Sequence, residues 1–150
     1  MGMFDALNVS ATGLTAERLR MDVTAENLAN AQTTRGADGQ PYRRKEVVLS
    51  EVQQGGFGAQ LAKAVGAGSA SGSQTGGVEV AGITQDQTPG KLVYDPGHPD
   101  ADAKGYVRMP NVDTVAEMVD LISASRAYEA NVTAMNAAKQ MFSKTLDLLR

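Results

Sequence analysis

The chain has 150 residues, a net charge of -3 and a sequence pI near 5.1, so it offers no basic surface for nucleic acid or an acidic membrane. It contains no cysteine, which excludes disulfides, cysteine-based metal sites and thiol chemistry. The N-terminal MGMFDALNVS lacks a basic region followed by an apolar core, and no run of apolar residues is long enough to span a bilayer. We therefore expect no Sec-type signal peptide and no membrane insertion.

The first predicted element is a long helix over residues 3–34, because apolar residues recur along it in steps of three and four. The larger members of this series are Phe4, Leu7, Leu14, Met21 and Leu28. The pattern fades before Gly36, which is able to end a helix. Gly13 lies inside the helix and costs about 1 kcal/mol relative to Ala, so we expect this helix to need a packing partner.

The middle of the chain, residues 36–110, is predicted to be a small β-rich module. Residues rich in β-formers alternate there with turn signals such as Asp38-Gly39 and Pro89-Gly90. The predicted strands are 42–52, 78–83, 91–94 and 106–109. Residues 55–77 contain eight glycines and a single charged residue, Lys63, so they are predicted to form a flexible loop.

The last predicted element is a helix within residues 111–150, a stretch without proline or glycine. Apolar residues again follow a period near 3.5, which is typical of a helix that packs lengthwise on another helix. The larger members are Met118, Leu121, Tyr128, Val132, Met135, Phe142 and Leu146. Asn111 or Asp113 is able to cap the helix, and Thr114 with Glu117 has capping-box spacing. A helix of roughly 36 residues would be about 55 Å long.

These elements predict an α+β fold. The two terminal helices pair as a coiled coil through the apolar residues listed above, and the β-rich module with its loop lies between them in sequence. The predicted divisions are residues 1–35, 36–110 and 111–150. A Met and Leu series at helical spacing is commonly ordinary core, and pairing of the two helices within one molecule would account for it. Further small side chains on both helices leave surface that additional helices could cover.

Candidate chemistry is limited to one acidic cluster, Asp95, His98, Asp100 and Asp102. Asp, Pro and Gly are also the residues that tight turns require, and the spacing of these Asp residues does not match a calcium loop. A single histidine excludes a His-based zinc cage, and no Gly-x-Ser-x-Gly segment presents a nucleophile. We therefore predict no catalytic residue, no metal site and no cofactor.

Both ends of the chain carry recognisable segments. The N-terminal helix contains Ser10-Ala11-Thr12-Gly13-Leu14 and the run at 26–31, ENLANA, and the C-terminal helix contains Glu117-Met118-Val119 and the run at 126–131, RAYEAN. These segments resemble the flagellar rod and hook family. The segments at 92–100, LVYDPGHPD, and 105–110, GYVRMP, are similar to the proximal rod members of that family.

The resemblance implies a structural, non-enzymatic subunit of the bacterial flagellar basal body. Members of the family leave the cell through the flagellar type III export apparatus without a cleaved signal. They then assemble with copies of themselves, other proximal and distal rod subunits and the adaptor between MS ring and rod. The product is a helical tube in the periplasm that transmits torque from motor to hook. The resemblance implies that the terminal helices form the rod core, and the acidic composition already predicts no nucleic-acid partner.

Two other hypotheses stay open from the sequence. The paired helices could belong to a soluble coiled-coil adaptor that forms a closed oligomer. A small hydrolase using His98 and the neighbouring acidic residues is the third possibility.

Overall fold

The computed structural model describes residues 3–36, 38–52 and 76–148, with side chains for residues 5–36, 38–52 and 76–147. Two helices and four strands occur in the described residues. They are α1 (Met3–Ala29), β1 (Lys45–Glu51), β2 (Val78–Gln85), β3 (Leu92–Tyr94), β4 (Tyr106–Arg108) and α2 (Thr114–Leu148). The chain therefore has the predicted α+β composition. Most of the predicted loop at 55–77 falls outside the described residues.

α1 ends at Ala29, so the prediction of a helix to residue 34 was wrong. The carbonyl oxygen of Glu26 accepts from both the backbone N and the side-chain Nδ2 of Asn30, at 3.1 and 3.0 Å. The next backbone bond, Ala31 N to Leu28 O, already has the tighter three-residue spacing of a terminating turn. Gly36, the predicted terminator, instead donates its N–H to the carbonyl of Gln40 at 2.8 Å in a later turn.

α2 begins at Thr114, and of the two predicted capping residues, Asn111 and Asp113, it is Asp113 that caps the helix. Asp113 Oδ1 accepts from the backbone N of Val115 at 3.0 Å and of Ala116 at 3.5 Å. The capping box of Thr114 with Glu117 was wrong. Thr114 is already helical, and the Glu117 side chain turns inward to partners on other elements.

The two helices pack against each other in antiparallel orientation. A β-carbon added to Gly13 would lie 3.0 Å from Asn131 Nδ2, and Asn27 near the end of α1 bonds Glu117 near the start of α2. The buried apolar side chains of the pair are small: Ala16, Val23, Ala124 and Ala138. The absence of a β-carbon at Gly13 thus leaves room for the Asn131 side chain.

The four strands form two separate two-stranded antiparallel sheets. β1 pairs with β2 from Lys45 opposite Gln85 to Glu51 opposite Val78, with an irregularity after Val48, and β3 pairs with β4. The turn predicted at Pro89-Gly90 therefore does not join β2 and β3 into a hairpin. A β-carbon at Gly90 would lie 1.8 Å from the carbonyl oxygen of Met109. The Pro89-Gly90 segment therefore packs against the backbone of Met109 and Pro110, which directly follow β4.

The β1–β2 sheet is fastened to α1. Val52 N donates to Gly77 O at 2.9 Å, which extends the ladder beyond the strands, and Val78 N donates to Thr12 Oγ1 at 3.2 Å. Both strands also contact α1. This sheet therefore has a fixed position on the helix pair.

Candidate functional site

Polar residues are buried at the end of the helix pair where α1 finishes and α2 starts. Asn27 and Glu117 are each only 1% exposed. Asn27 Nδ2 donates to Glu117 Oε2 at 3.0 Å, so a contact between the two helices joins positions 90 residues apart in the chain. The two helix ends are thus linked by a hydrogen bond in the interior of the molecule.

The same asparagine also holds the start of β1. Its Oδ1 accepts from Lys45 N at 2.9 Å, and its Nδ2 donates to Lys45 O at 2.8 Å. The Tyr42 hydroxyl donates to Asn27 Oδ1 at 2.9 Å. The Asn27 amide therefore bonds the Lys45 backbone as a neighbouring strand would, and it satisfies groups that burial would otherwise leave unpaired.

An arginine compensates the buried carboxylate. Arg44 Nε donates to Glu117 Oε1 at 2.5 Å, and Arg44 Nη2 lies 3.5 Å from Asp120 Oδ2. The backbone N of Arg44 donates to Asn111 Oδ1 at 2.8 Å. The hydrogen bond to Glu117 raises the pKa of Arg44, so the guanidinium stays charged. A buried carboxylate needs such a partner, because removal of a charge from water is costly.

We call this cluster the polar junction. Its members are Asn27, Tyr42, Arg44, Lys45 and Glu117. Burial, with the nearby carboxylates of Glu26 and Glu117, raises the pKa of the Tyr42 hydroxyl to about 12. Tyr42 thus stays neutral and remains a hydrogen-bond donor at physiological pH.

The polar junction has the features of a structural site. Its side chains pair with one another, and a cleft of about 240 Å³ beside it is lined by α1, β1 and the start of α2. No group of three or more His, Cys, Asp or Glu side chains suited to a metal ion occurs in the described residues. The junction thus connects three elements, α1, β1 and α2.

The acidic cluster around His98 serves to form turns. Asp95 Oδ1 accepts from Gly97 N at 3.1 Å, and His98 Nδ1 accepts from Asp100 N at 3.1 Å. Asp100 Oδ2 accepts from Thr34 Oγ1 at 2.8 Å, which ties this turn to the segment after α1. These bonds agree with the turn interpretation of the cluster.

The predicted helix-packing residues divide into three groups. Half-buried positions are Leu7, Leu14, Met21, Leu28, Leu121, Tyr128, Val132 and Met135. Exposed positions are Met118, Phe142 and Leu146. The side chain of Phe4 lies outside the described part of the chain.

Apolar side chains are exposed near the start of α2. Val115, Met118, Val119 and Ile122 are 63, 45, 61 and 53% exposed. Their spacing of three, four and seven residues places them on one helix face. We call these four residues the apolar patch.

Sequence reasoning missed the polar junction. Asn27 and Glu117 each directly precede an apolar residue of the packing series, Leu28 and Met118, but adjacent residues on a helix point about 100° apart, so this position gave no signal of burial. Val119, on the other side of Met118, is 61% exposed. The capping-box spacing offered a local explanation for Glu117, and that explanation hid the long-range one.

Comparison with known proteins identifies the chain. Residues 7–37 match the family described as "Flagella basal body rod protein", and residues 103–148 match "Flagellar basal body rod FlgEFG protein C-terminal". The chain is 51% identical over 152 residues to the flagellar basal-body rod protein FlgC of Bacillus subtilis (strain 168), with 99% of each chain covered. The chain belongs to the FlgC family of flagellar basal-body rod proteins.

Other FlgC proteins are similar over nearly the same span. The chain is 47% identical over 148 residues to that of Escherichia coli O6:H1, covering 99% of this chain and 98% of the relative. The match to FlgC of Aquifex aeolicus (strain VF5) is 38% identical over 148 residues, with 98% and 97% coverage. The similarity thus extends through the β-rich middle as well as the helices.

Family membership decides the class of function. FlgC-family proteins are structural subunits of the basal-body rod and not enzymes, which excludes the hydrolase hypothesis. The chain is accordingly a component of the flagellar basal-body rod and assembles with other rod components. The closed-adaptor hypothesis is set aside on the same ground. None of the described helices is both long and apolar enough to cross a membrane.

Proposed function

We propose that this FlgC-family chain polymerises through α1 and α2, with copies of itself and with other rod proteins, into the proximal part of the periplasmic rod. In this role it transmits torque from the motor to the hook. The observation that carries the proposal is the apolar surface that the single chain leaves exposed on α2.

The apolar patch is the first part of that surface. Val115, Val119 and Ile122 each keep more than half of their surface in water. Full burial of such a side chain is worth about 1.5–3 kcal/mol. Exposed apolar residues that form one contiguous face are typical of protein interaction sites, whereas isolated exposed apolar residues are ordinary. We therefore assign the patch to contact with a neighbouring rod subunit.

The other part lies at the opposite end of α2. Gly13 lies opposite Asn131. Met3, the first residue of α1, is therefore near the level of Met141, whereas α2 continues beyond it to Leu148. Met141, Phe142 and Leu146 are 57, 39 and 52% exposed. We call residues 139–147 the far end. Contacts that bury surfaces near both ends of one helix allow subunits to follow one another, and such a repeat builds a helical filament when it does not close.

We further propose that residues 1–35 and 111–150 form the rod core as a coiled coil, with residues 36–110 on the outside. The spacing of contacts supports this arrangement. Gly13 contacts Asn131, and Asn27 contacts Glu117. These two contacts are separated by 14 residues, or two heptads, in each helix. Helices that keep the same faces together over whole heptads have the geometry of a coiled coil. In this arrangement the half-buried residues, Val132 and Met135 among them, pack along the helix interface.

The proposal includes passage through the flagellar type III export apparatus before assembly. The fully buried apolar side chains of the helix pair are small and the larger ones are only half-buried, so packing within one chain gains less free energy than full burial would give. Long helices depend on tertiary packing for their stability. A weakly stabilised pair opens readily for transport and gains stability when rod subunits and the adaptor between MS ring and rod cover it.

The test is Val119→Asp, with Thr133→Asp as the matched control. Both residues are exposed on α2 and lie two heptads apart on the same helix face, but only Val119 belongs to the apolar patch. We expect Val119→Asp to abolish motility and recovery of the subunit in purified basal bodies, while the helical circular dichroism of the isolated chain stays unchanged. Cells that carry the Thr133→Asp variant are expected to swim. Normal incorporation of the Val119→Asp protein would contradict the proposal.

A further inference from the structure

We infer that the polar junction sets the register of α1 against α2, so that Asn27 and Glu117 are positioning residues for the whole helix pair. This inference concerns the single chain and does not depend on the proposed assembly. It rests on a contrast between the apolar contacts of the helix pair and its polar ones.

The apolar contacts permit more than one register. Ala124 and Ala138 lie one heptad before and one heptad after Asn131, and both are buried. A shift of α2 by seven residues in either direction would bring one of these alanines opposite Gly13. Such small side chains would fit that position at least as easily as Asn131 does, because a methyl group is smaller than an amide side chain. Apolar packing is also non-directional and discriminates weakly between similar alignments.

The polar junction permits one register. A shift by one heptad would move Glu117 by about 10 Å along the helix axis, well beyond hydrogen-bond distance from Asn27. In the observed register Glu117 Oε2 and Oε1 accept from Asn27 and Arg44, at 3.0 and 2.5 Å. A shift would separate the Glu117 carboxylate from Asn27. It would also break the ion pair with Arg44, because Arg44 directly precedes β1 and would not move with α2. A single buried polar residue fixes alignment in other helix pairs for this reason.

Asn27 also transmits the register to the sheet. Its amide bonds both the N–H and the carbonyl of Lys45, the first residue of β1. The same side chain therefore aligns three elements. A one-heptad shift of α2 against α1 would displace the apolar patch relative to β1 by about 10 Å. The length by which α2 extends beyond α1 would change by the same amount.

Disulfide trapping tests the inference, because the natural chain contains no cysteine. The pair Gly13→Cys with Asn131→Cys reports the observed register. The pairs Gly13→Cys with Ala124→Cys and Gly13→Cys with Ala138→Cys report the two heptad shifts. Disulfides form only between residues whose β-carbons lie close together, so each pair is specific for one alignment. In the purified full chain we expect oxidation to cross-link only the Asn131 pair.

The decisive background is the double variant Asn27→Leu with Glu117→Leu, which replaces the central polar pair by apolar residues of similar size. We expect the ratio of the Asn131 cross-link to the shifted cross-links to fall at least about tenfold, which corresponds to 1.4 kcal/mol of register preference. The variant Glu117→Gln keeps a hydrogen-bond acceptor for Asn27 and is expected to retain the observed register. A register that depended on helix stability alone would not distinguish glutamine from leucine in this way.

The control is Asp100→Asn, which alters a polar contact to Thr34 away from the helix interface and should leave the cross-linking pattern unchanged. If the double leucine variant lacks helical circular dichroism, Glu117→Leu alone is scored by the same ratio. Exclusive cross-linking of the Asn131 pair in the leucine background would overturn the inference. An absence of any cross-link in the unaltered background would do the same, because unpaired helices have no register.

Discussion

The polar junction and the far end of the antiparallel helix pair are built from different chemistry. In the polar junction, Asn27 and Glu117 are almost completely buried, and their side chains bond one another, Arg44 and the Lys45 backbone. At the far end, Met141 and Leu146 keep more than half of their surface in water. The chain completes the first of these surfaces by itself, and the second is one that we propose neighbouring subunits cover.

The difference follows from the directionality of the two interactions. A buried carboxylate or amide needs partners at specific distances and angles, so its partners are best supplied within the same chain. Apolar surface has no such requirement, and a neighbouring subunit of suitable shape is able to cover it. A rod subunit therefore gains alignment from its polar junction, while the apolar patch and the far end remain available for the proposed assembly.

Arg44→Ala should break this comparison most severely. Its removal leaves the buried Glu117 carboxylate without its cation, and we expect a loss of about 3 kcal/mol in the free energy of unfolding. Arg43→Ala is the matched control, because Arg43 is exposed and, among the residues that the structure describes, bonds the side chains of Gln40 and Gln87; its effect should stay within about 0.5 kcal/mol. Urea unfolding followed by circular dichroism measures both. Equal losses in the two variants would show that Glu117 needs no compensation.

Tyr42→Phe should have an intermediate and pH-dependent effect. Loss of the hydroxyl removes a hydrogen bond to Asn27 and should cost about 1 kcal/mol at neutral pH. The pKa of Tyr42 is raised from 10.0 to about 12 on folding, so its contribution is complete below pH 10 and is lost as pH rises through 12.

The measurement for this prediction is urea unfolding of both proteins below pH 10 and again between pH 10 and 12. The stability gap between the natural chain and Tyr42→Phe should narrow over the upper range. The difference between the two proteins cancels every effect that they share. A gap that stays constant with pH would mean that Tyr42 ionises equally in the folded and unfolded chain.

Leu146→Ala should have the smallest effect on the isolated chain. The side chain is 52% exposed at the far end, so we expect the free energy of unfolding to change by no more than about 0.5 kcal/mol. Motility should nevertheless fall, since the proposed contact with the neighbouring subunit loses apolar area. Swim-plate diameter and subunit recovery in basal bodies report that loss. A large drop in the stability of the isolated chain would instead place Leu146 in the interior of the single molecule.

Local patterns predicted the elements of this fold well. Heptad-like spacing gave both helices, and the positions rich in β-formers became β1 to β4. Most of the errors concern partners that lie far apart in sequence. The end of α1 is a local error, because the Asn30 side chain bonds a carbonyl only four residues earlier, whereas the two separate sheets reflect which distant strands pair. Glu117 was assigned to a local cap, although its partners are Asn27 and Arg44.

By itself, the amino-acid sequence determined the element types, the long terminal helices, the Asp113 cap and the turns around His98, because each depends on interactions between residues close together in the chain. The family motifs at both ends belong to the same category. Only the tertiary structure decided that Asn27, Arg44 and Glu117 meet, and that α2 keeps an apolar face uncovered near its start. Burial and hydrogen bonding between distant residues depend on how the helices are aligned, and that alignment exists only once the chain has folded.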